Sequence, residues 1–229
     1  MASRLTEFVG PSQAAVVVID VQNSFCHPQG RYAKAGNDVS VYQRLAERIQ
    51  DFLAEARRLG VRVIFVRGSG DSWTHMETAD QLNGRGIVPY GSEASGGAAL
   101  AQVGLGHGDA WEWDFFRVAP EGDEPVVIKD RYSAFIGTDL DLILRSQGIK
   151  TLVLTGLAGN VCVESTARDG FMMGYRIVFT SDCTESRSPE VQRGALLNIG
   201  KFYGTVVSSQ EVVEAWQEAV TPVRVQRPA

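Results

Sequence analysis

Cys162 stands in the segment GLAGNVCVESTARDG, residues 156 to 170, between a glycine-bounded turn and the opening of a helical pattern. The start of a helix exposes backbone N–H groups without partners and the positive end of the peptide dipoles, which favour a thiolate over a thiol. The same N–H groups suit the oxyanion of a tetrahedral intermediate, so attack on a carbonyl carbon is the chemistry this position offers. An isolated cysteine there is as often an inert core residue, and the reading turns on what is brought beside it. Two other short apolar runs end in charge: AAVVVID closes on Asp20 and PVVIK on Lys129. A carboxylate can take the thiol proton, and an ammonium can lower the thiol pKa and hold the charged state. Taken singly, Asp20 would cap a turn and Lys129 would point to water. With Cys162, which follows the run KTLVLTG, they form a set of three at the ends of three separate strands.

Such a set needs elements that bring its members to one edge. Runs at about 14–19, 61–66, 125–128, 151–155, 175–179 and 204–207 read as strands alternating with helical segments. The clearest helix is VYQRLAERIQDFLAEARRLG, with Leu45, Ile49, Phe52, Leu53 and Ala56 on one face and Gly60 as its stop. A second, TDLDLILRSQG, has Thr138 as N-cap and Gly148 as stop. Alternation of this kind predicts right-handed crossovers and an α/β fold: three layers, doubly wound, with a mostly parallel six-stranded sheet covered by helices on both faces. The carboxyl ends of its strands converge on one edge, where ligands bind. Residues 1–229 read as a single domain. Within it, residues 67–124 break the rhythm, being rich in glycine and tryptophan, and are expected to form a lid or subunit-contact segment that shapes the pocket. Trp73 and Trp111 are candidate walls there.

Composition narrows the partners. Net charge is −5 with both signs interspersed, so there is no basic stripe for nucleic acid. No run approaches a membrane span and MASRLTEFVGPSQ lacks a signal-peptide core, so cytoplasmic residence is expected. The three cysteines, Cys26, Cys162 and Cys183, lack CxxC spacing, which argues against a disulfide framework or structural zinc. Cys183, closing an apolar strand, reads as a core thiol.

The blocks VVVIDVQNSF, VVIKDRYSAF and TGLAGNVCVESTARDG, in that order, resemble the isochorismatase-like cysteine hydrolases, a family that includes nicotinamidases, N-carbamoylsarcosine amidases, biuret hydrolases and ureidoacrylate amidohydrolases. The resemblance implies a catalytic triad of Asp20, Lys129 and Cys162, a cis peptide at Leu157–Ala158, and an oxyanion hole made by the N–H groups of Ala158 and Cys162. It also implies a homodimer or homotetramer. Gln22 and Asn23 could offer amides to a polar substrate, and Phe25, Tyr132 and Phe135 could form an aromatic wall. Asn160 is expected to serve its own turn, and Arg168 and Asp169 to support the helix.

Departures from the family's subtypes bear on substrate. Nicotinamidases carry an Asp-x-His metal pattern after the second strand; here RGSGDSWTHMETAD sets Asp71 and His75 at another spacing, so no metal or other cofactor is expected. Isochorismatases proper lack the nucleophilic cysteine. RYSAF, LRSQGIK and NVCVESTARDGF look most like the ureidoacrylate amidohydrolase versions of these blocks. The expectation is a cysteine-dependent amidohydrolase that cleaves the carbon–nitrogen bond of a small linear amide, carbamoyl or ureido compound through a thioester. Hydrolysis of an ester or vinyl ether, or a silent binding role on the same fold, are the alternatives.

Overall fold

The structure, a computed structural model, describes residues 2–69 and 110–221. Six strands, β1 (Ala14–Ile19), β2 (Arg62–Gly68), β3 (Val126–Lys129), β4 (Thr151–Leu157), β5 (Arg176–Glu185) and β6 (Thr205–Val207), form one sheet in the order β3-β2-β1-β4-β5-β6. Every pairing is parallel, so the expected mostly parallel sheet is a wholly parallel one among the described residues. The central strands are built for this. All six residues of β1 are buried, as a strand covered on both faces requires.

The helices are α1 (Ala2–Phe8), α2 (Asn23–Cys26), α3 (Arg31–Lys34), α4 (Ser40–Arg58), α5 (Ala110–Trp113), α6 (Leu140–Ser146), α7 (Glu164–Met172), α8 (Pro189–Phe202) and α9 (Ser209–Val220). Alternate residues of β1 sort between two layers. Ala14, Val16 and Val18 pack with Leu45, Ile49, Phe52 and Leu53 of α4 and Trp216 of α9. Ala15, Val17 and Ile19 pack with Leu140 and Leu144 of α6, Ala167 of α7 and Ile199 of α8. The expected apolar face of α4 is the buried one, and Gly60 behind it takes a left-handed φ of 72°. A capping box starts α9: Ser208 Oγ accepts from the Glu211 N–H, and the Glu211 carboxylate accepts from the Ser208 N–H. No helix among the described residues is long and apolar enough to cross a membrane.

Three elements differ from the sequence expectation. Helix α6 starts at Leu140 with Asp139 in the N-cap position, because the Thr138 hydroxyl receives the Leu140 N–H from one residue further back while donating to the Ala134 carbonyl. Strand β5 runs on to Glu185 through the polar stretch TSDCTE. A register irregularity between Leu154 and Gly156 lets this extension pair Thr184 with Gly156 and Glu185 with Leu157, carrying β5 up to the nucleophile turn. The described part of the 67–124 segment docks on the loop after β1: the Asn23 N–H donates to the Asp114 carbonyl and the Phe116 N–H to the Val21 carbonyl.

Candidate active site

Growth of the sheet reverses between β1 and β4, and the crevice at that reversal is where a doubly wound sheet admits a ligand. Asp20 follows β1 directly, and its N–H is tied to the Val66 carbonyl of β2 at 3.0 Å. Its φ of 55° is left-handed, a conformation an aspartate tolerates better than most residues. Gly156 of β4 sits opposite Ile19 in register. With a φ of 113° and a position where a Cβ would fall 2.0 Å from the Ile19 carbonyl oxygen, only glycine fits, and the two strand ends close up.

Lys129 ends β3, two strands from Asp20. Its register partner on the intervening β2 is Gly68, which presents no side chain to cross. The Lys129 ammonium lies 2.8 Å from Asp20 Oδ2 and donates to the Arg131 carbonyl at 3.1 Å. Both partners are almost wholly buried. Asp20 Oδ1 is buried and has no hydrogen-bond partner among the described residues. Cys162 comes within hydrogen-bonding reach of both Asp20 and Lys129. The three side chains named from the sequence are therefore assembled in one place.

Electrostatics at this trio correct one expectation. Burial pushes the Cys162 thiol up to about 12; Lys129 pulls it down and Asp20 adds a further upward push. The net direction is up, so Cys162 rests as a neutral thiol rather than a thiolate. Burial alone would depress Lys129, but the neighbouring Asp20 carboxylate and Cys162 overcome it and hold the amine above its ordinary value, charged.

The thiol is carried on a single π-helical turn, Gly159–Val163, ahead of α7. The Leu157–Ala158 peptide is cis, at the position implied by the resemblance. The Ala158 carbonyl accepts from the N–H groups of Val161 and Val163, at 3.0 and 3.2 Å. Three residues that steady this turn were not foreseen. Thr166 donates its hydroxyl to the Cys162 carbonyl at 2.7 Å and accepts the Ala134 N–H at 3.0 Å, tying the nucleophile to the loop after Lys129. Its position four residues after the cysteine is the one signal the sequence carried. Ser186 and Gln192 reach the turn from β5 and α8, which no local pattern marks. Asn160 does serve its own turn, through a backbone N–H held by Ser186.

The other named residues divide. Gln22 is not free for substrate: its Nε2 donates to the Trp113 carbonyl at 2.8 Å and its Oε1 accepts the Gly68 N–H at 2.9 Å, so it clamps the loop after β1 to β2 and α5. Asn23 likewise spends its amide N–H group on the Trp111 carbonyl, at 2.9 Å. Phe25 packs with the α4 layer, whereas Cys162 belongs to the other. Phe135 is turned into the core under α7, stacked on Tyr175 with ring centroids 5.7 Å apart. These residues are better described as scaffold than as a substrate wall, because their polar atoms or ring faces are already used. Tyr132 is half-buried in the Cys162 layer. Trp111 meets His27 edge-on at 4.9 Å. Trp73, Asp71 and His75 lie outside the described residues. Arg168 supports α7 as expected, pairing with Glu164 at 2.6 Å and donating to the Tyr203 hydroxyl. Cys26 and Cys183 are fully buried thiols, both pushed up by burial, Cys183 to about 12.

Comparison with known proteins agrees with this geometry. The profile of the Isochorismatase domain matches residues 14–211. The chain is 37% identical to ureidoacrylate amidohydrolase RutB of Pantoea ananatis over 208 residues, covering 90% of this chain and 82% of the relative. A cysteine hydrolase from Pseudomonas syringae pv. phaseolicola 1448A superposes with a TM-score of 0.75 at 27% identity, covering 93% of this chain and 96% of that one. N-carbamoylsarcosine amidase from Thermoplasma acidophilum gives a TM-score of 0.63 at 26% identity, over 86% of this chain and 96% of that one.

Proposed function

The chain belongs to the isochorismatase family, and on that premise we propose that it is a cysteine-dependent amidohydrolase acting on a small linear amide, carbamoyl or ureido compound. The observation that carries this reading is the trio itself: a neutral thiol beside a buried Lys129–Asp20 ion pair whose second carboxylate oxygen is unclaimed. That oxygen is an acceptor for the thiol proton. Lys129 keeps its charge throughout and compensates the negative charge that moves from carboxylate to sulfur.

In the first half-reaction Cys162 Sγ attacks the carbonyl carbon as its proton passes to Asp20. The oxyanion is received by the N–H groups of Ala158 and Cys162. Asp20 then donates the proton to the leaving nitrogen, the carbon–nitrogen bond breaks, and a thioester remains. In the second, water gives a proton to Asp20 and its oxygen attacks the thioester, releasing the acid or carbamate and restoring the thiol. Identity with a ureidoacrylate amidohydrolase supports ureido compounds as the first substrates to try. Assembly as a homodimer or homotetramer belongs to the same proposal.

The test is ammonia release from ureidoacrylate, carbamoyl amino acids, biuret, nicotinamide and simple amides, on the wild type and Cys162→Ser side by side. Release that the serine variant loses supports the reading and ranks the substrates. Equal release by both proteins, or none from any compound, removes it.

A further inference from the structure

The π-helical turn that carries Cys162 has no side-chain cap of its own. A helix start leaves several N–H groups without intrahelical partners, and something must hold them if the turn is to keep one shape. Here the holding group comes from another element. The Asn160 N–H donates to Ser186 Oγ at 3.0 Å, just beyond the end of β5. Ser186 in turn donates its hydroxyl hydrogen to Gln192 Oε1 at 2.6 Å. Gln192 Nε2 donates to both the carbonyl and the hydroxyl oxygen of Thr184, at 3.1 and 3.0 Å, and the Thr184 hydroxyl donates to the Thr180 carbonyl at 2.6 Å. Ser186, Gln192 and Thr184 are all buried.

The direction of every bond in this chain is determined. The Thr184 carbonyl can only accept, so the Gln192 nitrogen faces it and the amide oxygen faces Ser186. Ser186 must then give its hydrogen to that oxygen, which leaves its lone pairs to the Asn160 N–H. Gly159 completes the fit. A Cβ there would lie 2.4 Å from Gln192 Oε1 and 2.9 Å from Ser186 Oγ, so the turn is seated directly against the relay.

We propose that Ser186 and Gln192 are positioning residues for the oxyanion-binding face of the nucleophile turn, holding it from β5 and α8 through the Asn160 N–H. This rests on the thioester chemistry proposed above. The relay contacts the turn through its backbone, on bonds separate from those that join Asp20, Lys129 and the thiol. Its loss should misplace the oxyanion donors while leaving the proton transfer from Cys162 intact.

That separation gives the test two readouts on one thiol. Reaction with p-nitrophenyl acetate forms the sulfur–carbonyl bond, passes through an oxyanion and expels nitrophenolate with the electron pair of the broken carbon–oxygen bond. Reaction with iodoacetamide forms a sulfur–carbon bond by displacing iodide and makes no oxyanion. Ser186→Ala and Gln192→Leu are expected to slow the nitrophenolate burst at least about tenfold with the alkylation rate unchanged. Ser186→Thr, which keeps the hydroxyl, should recover the burst. Equal loss of both rates, or a burst that neither variant slows, overturns the relay. A wild type that gives a Cys162-dependent burst but no ammonia from any amide removes the amidohydrolase reading and leaves the relay open to the same comparison. A wild type with no burst removes both.

Discussion

Asp20 and Lys129 are worth more as a pair than either is alone. They sit 2.8 Å apart and are almost wholly buried. Removing one partner leaves an uncompensated charge in the interior, which costs about 3–5 kcal/mol, whereas removing both does not. Lys129→Met is therefore expected to lower stability by about that amount in urea denaturation, with Asp20→Asn added in the same chain recovering most of it. Neither protein should turn over substrate. A single variant as stable as the wild type would show that the pair is not the buried contact described. Titration gives a second expectation at this scale. Cys162 and Cys183, ordinarily near 9.0, are both pushed to about 12 by burial. Their protons are retained in the folded state and released from the unfolded one over that interval, so their contribution is intact below about pH 9 and is lost as pH climbs toward 12. Thermal unfolding should therefore fall in temperature across that window, and Cys183→Ala should flatten the fall. The identity of the three reactive residues was readable in the sequence because each ends an apolar run. The net protonation of Cys162 was not, since the helix start argues for a thiolate and only the depth of burial reverses it.

At the scale of elements, the site depends on how closely strand ends approach. Gly156 is the tightest point, where β4 meets the Ile19 carbonyl immediately before Asp20. Gly156→Ala places a Cβ against backbone at a φ that side chains avoid, and should cost about 3 kcal/mol or more in chemical denaturation and abolish turnover. Wild-type behaviour of that variant would contradict the packing. Gln22 shows the opposite lesson. It follows Asp20 so closely that a substrate contact was the natural reading, yet the Gly68 N–H and the Trp113 carbonyl claim both ends of its amide. A glutamine's sequence neighbourhood says which loop it is in; which groups face it there depends on β2 and α5, contributed from residues far along the chain. The extension of β5 was missed for a related reason. TSDCTE has no apolar alternation, and it is a strand because β4 and the nucleophile turn offer it partners.

For the whole molecule, the two layers divide labour. Cys162 lies in the layer of α6, α7 and α8, while the other layer is closed by α4 and α9 around Trp216. Trp216 is fully buried, stacks on Phe52 at 5.3 Å and donates to the Val9 carbonyl at 2.9 Å. Trp216→Ala should cost about 3–5 kcal/mol in denaturation, yet leave the iodoacetamide alkylation rate of the folded protein unchanged, because the site is built on the opposite face. A matching loss of thiol reactivity would mean the layers are coupled. The sequence by itself determined the fold class, the place of each central strand, the face of α4 that is buried, and the identities of Asp20, Lys129 and Cys162. These follow from local periodicity and from the rule that parallel strands bring their carboxyl ends to one edge. Only the tertiary structure decided that Cys162 rests as a thiol, that Gln22 and Asn23 are clamps, and that Thr166, Ser186 and Gln192 hold the nucleophile turn. Each of those facts is a matter of distance and burial between residues remote in sequence, which periodicity does not encode.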